Sequence, residues 1–331
     1  MWMPDVSRIL VVKLSALGDL LHAVPVVHRL AEQYHCPIDW VTQPEYADLV
    51  ACHRDVDRVI AFPRKGGVSK LRTFVRELRE QSYDLALDLQ GLTKSGLVLG
   101  LSKSRRKICT SKPREIAAWF AHEIPESKAP TPHAMDRLFD SLRHLEINPD
   151  PVVYPLEFPP GPEFSSTMSK LAIAPRSRWP GKDWPAERFI ELARSLAGQM
   201  ELEVYVLGGP ADRELGVRMV KDIGKNSHNL CGQHPMLALG VILRQMDCLV
   251  CNDSGPMHMG AAVGTPVVAL FGPTDPDKTG PWGPGHQVLR PPAGTEGYPD
   301  HRSYKRVGND FIARITVQEV ENAVKKQLQV R

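Results

Sequence analysis

Short apolar runs alternate along this chain with longer stretches of helical period. Arg8 to Lys13 encloses Ile9, Leu10, Val11 and Val12, followed by Ser15-Ala16-Leu17-Gly18-Asp19 and an apolar-periodic stretch to Gln33, a pattern that predicts strand, tight loop and helix. Strands are predicted again at Ile38 to Val41, Val59 to Phe62 and Leu85 to Leu89, with a helix near Ser69 to Gln81. Six prolines (149, 151, 155, 159, 160 and 162) crowd the stretch from Asn148 to Phe164. They leave little room for a helix and predict a domain boundary. A second series follows, with strands at Leu171 to Ala174, Leu202 to Leu207, Cys248 to Cys251 and Val267 to Phe271. Its helices are predicted at about Ala186 to Gln199, Asp212 to Ile223, Leu237 to Met246 and Met257 to Val263. Thr316-Val317-Gln318-Glu319 is a capping box opening a last helix that runs to about Gln329,. Alternation of this kind predicts an α/β protein with parallel sheets covered on both faces. Two Rossmann-like domains are expected, residues 1–155 and 156–331, with the terminal helix at about 316–329 packing back on the first.

Composition narrows the class. A chain of 331 residues with 42% hydrophobic and 24% charged positions can bury two cores, which excludes general disorder,. No apolar run reaches 18 residues, and Met1 to Arg8 is too short and polar for a signal peptide, so a cytoplasmic location is expected,. The six scattered cysteines predict free thiols,. Cys248 and Cys251 have half the spacing of a metal site, but residues three apart on a strand face opposite ways, and no metal site is assigned,. From residue 58 to 114, fourteen bases stand against four acids. Such an excess suits an anionic partner. A nucleic acid is not expected, because the stretch lacks the interleaved aromatics of single-strand binders,.

Ligands of doubly wound sheets bind beyond the carboxyl ends of the strands, so the loops following strands carry the argument. In Asn252-Asp253-Ser254-Gly255-Pro256-Met257-His258, Asp253 or Ser254 suits a helix N-cap, Pro256 the first turn, and Gly255 a close backbone approach,. Exposed amides and the positive dipole end there fit a diphosphate, with His258 in the first turn to add a hydrogen bond. Arg176 to Pro185 is a proline-stiffened loop in which Lys182 is a point charge for a leaving phosphate,. No P-loop and no complete dinucleotide fingerprint opens either half, which counts against an ATPase or a nicotinamide enzyme,. Asp19, beside Gly18 at a helix mouth, is either a cap or an ionised general base,. His22, one turn on, reads as a supporting histidine.

These segments, together with Asp88-Leu89-Gln90-Gly91-Leu92-Thr93-Lys94-Ser95 and Gly264-Thr265-Pro266 through Gly272-Pro273-Thr274-Asp275-Pro276, resemble glycosyltransferase family 9, the lipopolysaccharide heptosyltransferases. The resemblance spans almost the whole chain. It implies a GT-B fold, two Rossmann-like domains facing each other across a cleft, with acceptor bound by the first and nucleotide sugar by the second. It further implies an ADP-heptose donor: Ser177 and Lys182 on phosphate, Met236 at the adenine, Asp253 near ribose or a metal, and Ser254, Gly255 and His258 on the diphosphate. Asp19 becomes the base, and Arg64, Lys65 and Arg114 the contacts to an anionic glycolipid of the Kdo-lipid A type. No cofactor is firmly implied, although a divalent metal such as Mg is compatible with the pattern. Asp88 to Ser95 and Lys112 to Glu115 look most like the first-acting members, Asp253 to His258 like those acting later. A lipid-borne acceptor implies peripheral contact with the inner membrane. Two competing readings are a sugar-nucleotide epimerase on the same scaffold and a non-catalytic binder of anionic glycolipid.

Overall fold

The computed structural model describes residues 6–292 and 308–329. The chain divides into two compact units, Met1–Glu157 and Phe158–Arg331. The division falls within the proline-rich stretch, which forms no helix.

The first unit runs β1 (Ile9–Val12), α1 (Leu17–Tyr34), β2 (Ile38–Thr42), α2 (Ala47–Ala51), β3 (Val56–Ala61), α3 (Gly67–Leu78), β4 (Tyr83–Asp88), α4 (Thr93–Leu101), β5 (Ser104–Cys109) and α5 (Ala134–His144). Its five strands are all parallel, in the order β3-β2-β1-β4-β5. All four residues of β1 are buried, as expected of a central strand with helices on both faces,. Helix α4 lies against a short turn at Ala117–Phe120 because Gly96 and Gly100 leave room for the Phe120 ring. A Cβ at either glycine comes within 2.9 and 2.7 Å of that ring.

The second unit runs β6 (Ser169–Ala174), α6 (Ala186–Ala197), β7 (Leu202–Val206), α7 (Arg213–Ile223), β8 (Ser227–Asn229), α8 (Ala238–Arg244), β9 (Cys248–Asn252), α9 (Gly255–Ala262), β10 (Val267–Leu270), α10 (Pro276–Thr279), β11 (Gln287–Leu289) and α11 (Val317–Gln329). Its six parallel strands are ordered β11-β10-β9-β6-β7-β8. The predicted capping box opens α11: the Thr316 amide donates to Glu319 at 2.7 Å, and the Glu319 amide donates to the Thr316 hydroxyl at 3.3 Å. Within its unit α11 packs on α6 and on β9, β10 and β11.

Three strands that hydrophobic pattern does not announce, β5, β8 and β11, all lie at sheet edges. Their sequences, SRRKIC, SHN and QVL, are short or charged because one side of each carries no neighbouring strand. The strand predicted from Val59 starts earlier, at Val56. All six cysteines are free thiols. Among the described residues, no helix is long and apolar enough to cross a membrane.

Candidate active site

Where two neighbouring strands send their connections in opposite directions, a crevice opens at their carboxyl ends. Strand order places one such point between β6 and β9 in the second unit and one between β1 and β4 in the first.

At the β6/β9 point, Ala174 lies opposite Cys251, so the loops after each strand emerge side by side. Asn252, fully buried, ties them together. Its side chain accepts from the Trp184 amide at 3.1 Å and donates to the Pro175 carbonyl at 2.8 Å. Lys182 ends a one-turn 3-10 helix, Pro180–Lys182, and its Nζ donates to Asp253 Oδ2 at 2.5 Å. The Thr274 hydroxyl, from the loop after β10, donates to the same oxygen at 2.7 Å. Asp183 holds the Ser177 amide at 2.7 Å and the Arg176 guanidinium at 3.2 Å. Burial pushes the Asp183 carboxyl above the usual carboxylate range, against the pull of those donors. The Ser177 hydroxyl turns back to the Trp179 carbonyl at 2.8 Å.

Ser254 occupies the N-cap of α9, but its hydroxyl donates to the Asn252 carbonyl rather than capping the helix. With Gly255 and Pro256 as the first two helical residues, that end presents little side-chain bulk and a positive dipole,. His258 follows within the same turn, half-buried. Met236, 37% exposed, stands on the turn into α8, the helix packed against α9.

At the β1/β4 point, Asp19 sits in the first turn of α1 with its side chain half exposed and accepts from the Ala16 amide at 3.1 Å. Asp19 therefore closes its helix start and still offers an exposed carboxylate, so the cap and the base are compatible. Lys13, nearly fully buried, donates to the Leu89 carbonyl at 2.8 Å and places Nζ 3.9 Å from Asp19 Oδ1. Burial pushes its ammonium below the ordinary lysine range; the charges of Asp19 and Asp88 oppose that shift, and those of Arg114 and Arg137 add to it. Asp88, wholly buried, accepts from the Gln90 and Gly91 amides and the Ser95 hydroxyl, while burial raises its carboxyl. The turn needs a left-handed residue at its centre, and Gly91 supplies φ 67°,. Gln90 in turn accepts from the Leu14 and Ser15 amides, locking the two loops together.

The structure thus brings Lys182, Asp253, Ser254 and Gly255 to one crevice, with Ser177 on the same loop as Lys182. Arg114 joins the Asp19 locus, its amide bonded to the Gly91 carbonyl. Arg64 and Lys65 lie farther along the first sheet, after the edge strand β3, where Arg64 pairs with Glu45 at 2.9 Å. Lys13, Asp88 and Thr274 fall inside recognisable motifs, but their roles emerge only once strand order shows which loops are neighbours. Asp253 supplies one carboxylate, already paired with Lys182. Among the described residues no three His, Cys, Asp or Glu side chains are arranged so that they could hold a metal ion. That donor set does not fit a resident metal ion such as Mg held by the protein alone.

The model of glycosyltransferase family 9 (heptosyltransferase) matches residues 71–305, running through both units. The chain belongs to glycosyltransferase family 9. A Pseudomonas aeruginosa lipopolysaccharide heptosyltransferase 1 is 28% identical to this family member over 300 residues, covering 83% of this chain and 81% of that protein. The lipopolysaccharide heptosyltransferase 2 of Escherichia coli is 26% identical over 308 residues, 86% of this chain and 88% of its own. Among solved structures, E. coli heptosyltransferase WaaC with ADP superposes with a TM-score of 0.82 at 22% identity, over 97% of this chain and 99% of that one. This family 9 chain is accordingly a glycosyltransferase of the GT-B class, built of two parallel-sheet units as its sequence implied. Membership in an enzyme family sets aside the non-catalytic binder, and transferase membership the epimerase.

Proposed function

We propose that the protein moves heptose from ADP-L-glycero-D-manno-heptose to an anionic glycolipid of the Kdo-lipid A type, with inversion at the anomeric carbon. The observation that carries this reading is the convergence of Lys182 and Asp253 beside the open first turn of α9, a cation and a set of amides suited to a diphosphate,. Relatives named as heptosyltransferases, and a structural neighbour described with ADP, support the choice of nucleotide sugar.

In this scheme Lys182, Ser177, Ser254, Gly255 and His258 hold the diphosphate, Asp253 faces the ribose and Met236 lines the adenine pocket. Charge growing on the departing ADP meets donors fixed before reaction begins, so little reorganisation is needed in the transition state. Asp19 takes the proton of the attacking acceptor hydroxyl. Arg114, Arg64 and Lys65 meet the acceptor's carboxylate and phosphates. The acceptor being lipid-borne, the enzyme works at the cytoplasmic face of the inner membrane through peripheral contact.

The test is a panel of nucleotide sugars and acceptors read by mass spectrometry. A heptose added to a Kdo-terminated acceptor from the ADP donor alone supports the scheme. Transfer from a UDP-sugar, or to an acceptor lacking Kdo, overturns the corresponding half.

A further inference from the structure

Helix α4 turns an unusual face to solvent. Its buried side is Ser95, Gly96, Val98 and Leu99, while its exposed positions are Lys94, Leu97 and Leu101. Leu97 is 44% exposed and Leu101 38%. The Ala117–Phe120 turn packed on this helix adds Trp119, 81% exposed, and Ile116, 38% exposed. Basic residues border the apolar ones: Lys94 on the helix, and Lys112 and Arg114 on the segment leading to the turn, all exposed. Glu115, the acid of this segment, is engaged by the Thr93 amide at 3.0 Å and has the charges of Arg114 and Lys94 close by.

We propose that this face, Leu97, Leu101, Ile116 and Trp119 with Lys94 and Lys112, docks the protein on an anionic phospholipid bilayer. Leu97 and Leu101 lie one turn apart on α4, and large aliphatic side chains clustered with the exposed indole of the packed turn mark an interaction surface,. A tryptophan next to lysines is the composition that settles at a headgroup layer, the ring among the upper acyl carbons and the ammonium groups on the phosphates. Charge selects the occupant: the cations match an anionic lipid surface, whose attraction adds to the apolar contact and is screened by salt. Neither the apolar residues nor Lys94 and Lys112 are assigned to substrate; the face adjoins the acceptor contacts at Arg114. It serves the lipid-borne acceptor proposed above but stands on the geometry of α4 and its turn.

The test uses the full chain with vesicles free of acceptor. Phosphatidylglycerol-phosphatidylethanolamine vesicles are compared with pure phosphatidylcholine by flotation, together with tryptophan fluorescence. The wild-type protein is expected to bind the anionic vesicles and to release them at high salt. Trp119→Ser and, separately, Leu97→Ser are expected to lower the partition about tenfold, with unchanged melting because both positions are exposed, and with unchanged activity on a detergent-dispersed acceptor. Equal binding by wild type and both variants overturns the proposal, as does wild type that ignores anionic vesicles. Concentration-dependent dimerisation abolished by Trp119→Ser, without lipid binding, assigns the face to a second copy of the chain and equally overturns it. Because the vesicles carry no acceptor, neither result depends on whether heptose is the sugar transferred.

Discussion

Asn252→Leu isolates the tie between the two loops at the β6/β9 crevice. Leucine nearly preserves the volume and branching of asparagine, so the substitution removes hydrogen bonds without opening a cavity. Two buried groups lose their partner, the Trp184 amide and the Pro175 carbonyl. Each buried, unsatisfied backbone group costs about 1–3 kcal/mol, giving about 2–6 kcal/mol in total. For a body of this size a loss of 1 kcal/mol lowers the midpoint by about 2–4 °C, so the melting transition of the second unit should drop by about 10 °C. The same bonds position the loop that carries Ser177 and Lys182, so ADP affinity should fall along with stability. Differential scanning calorimetry and titration calorimetry with ADP measure the two effects. A transition within about 1 °C of wild type, with ADP bound as before, would refute the view that Asn252 holds the loop in place.

Four further outcomes follow from the structure. Asp19→Asn keeps the size of the side chain but removes the base; kcat should fall at least about a hundredfold with the KM for the donor nearly unchanged, and equal damage to both would contradict a base. Lys182→Ala should raise the donor KM at least about tenfold, since it removes the cation and leaves the buried Asp253 carboxylate without its pair; unchanged steady-state kinetics would sink the assignment. Thr274→Val keeps the shape but loses one bond to Asp253, and should show a smaller effect in the same assay than Lys182→Ala. The Glu123 carboxyl is held down at about 2, first by the Arg106 guanidinium and then by His144. A depressed carboxyl favours the folded state above its unfolded value near 4.5 and loses that contribution as pH falls toward 2,. Glu123→Gln should therefore lower urea stability at neutral pH and make little difference near pH 2; solvent screening keeps the neutral-pH loss small.

Much of the core was legible because central strands bury both faces. Ile9 to Val12 and Cys248 to Cys251 are continuous apolar runs that read directly as buried strands, and the loops after them carry Asp19 and Asp253. Edge strands gave no such signal. In β5, Arg106 sits in a strand because Glu123 accepts from its guanidinium at 2.5 and 2.6 Å, and Lys107 because its ammonium reaches the Gly100 carbonyl. The same distant partners explain why the basic stretch from 58 to 114 is less of a patch than its residue count: Asp39 pairs with Arg58, Glu45 with Arg64 and Glu123 with Arg106, all from outside that window. The link from Lys182 to Thr274 through Asp253 was hidden for a related reason. Sequence order separates the three loops, and only the adjacency of β6, β9 and β10 brings them together.

The glycine pair in α4 has a mechanical consequence. Gly96 and Gly100 form a notch in which the Phe120 ring is wedged, and the neighbouring indole is thereby mounted on a stiff bracket instead of a slack tether. A stiffly mounted anchor has little motion left to surrender on landing, so more of its contact energy survives as adhesion.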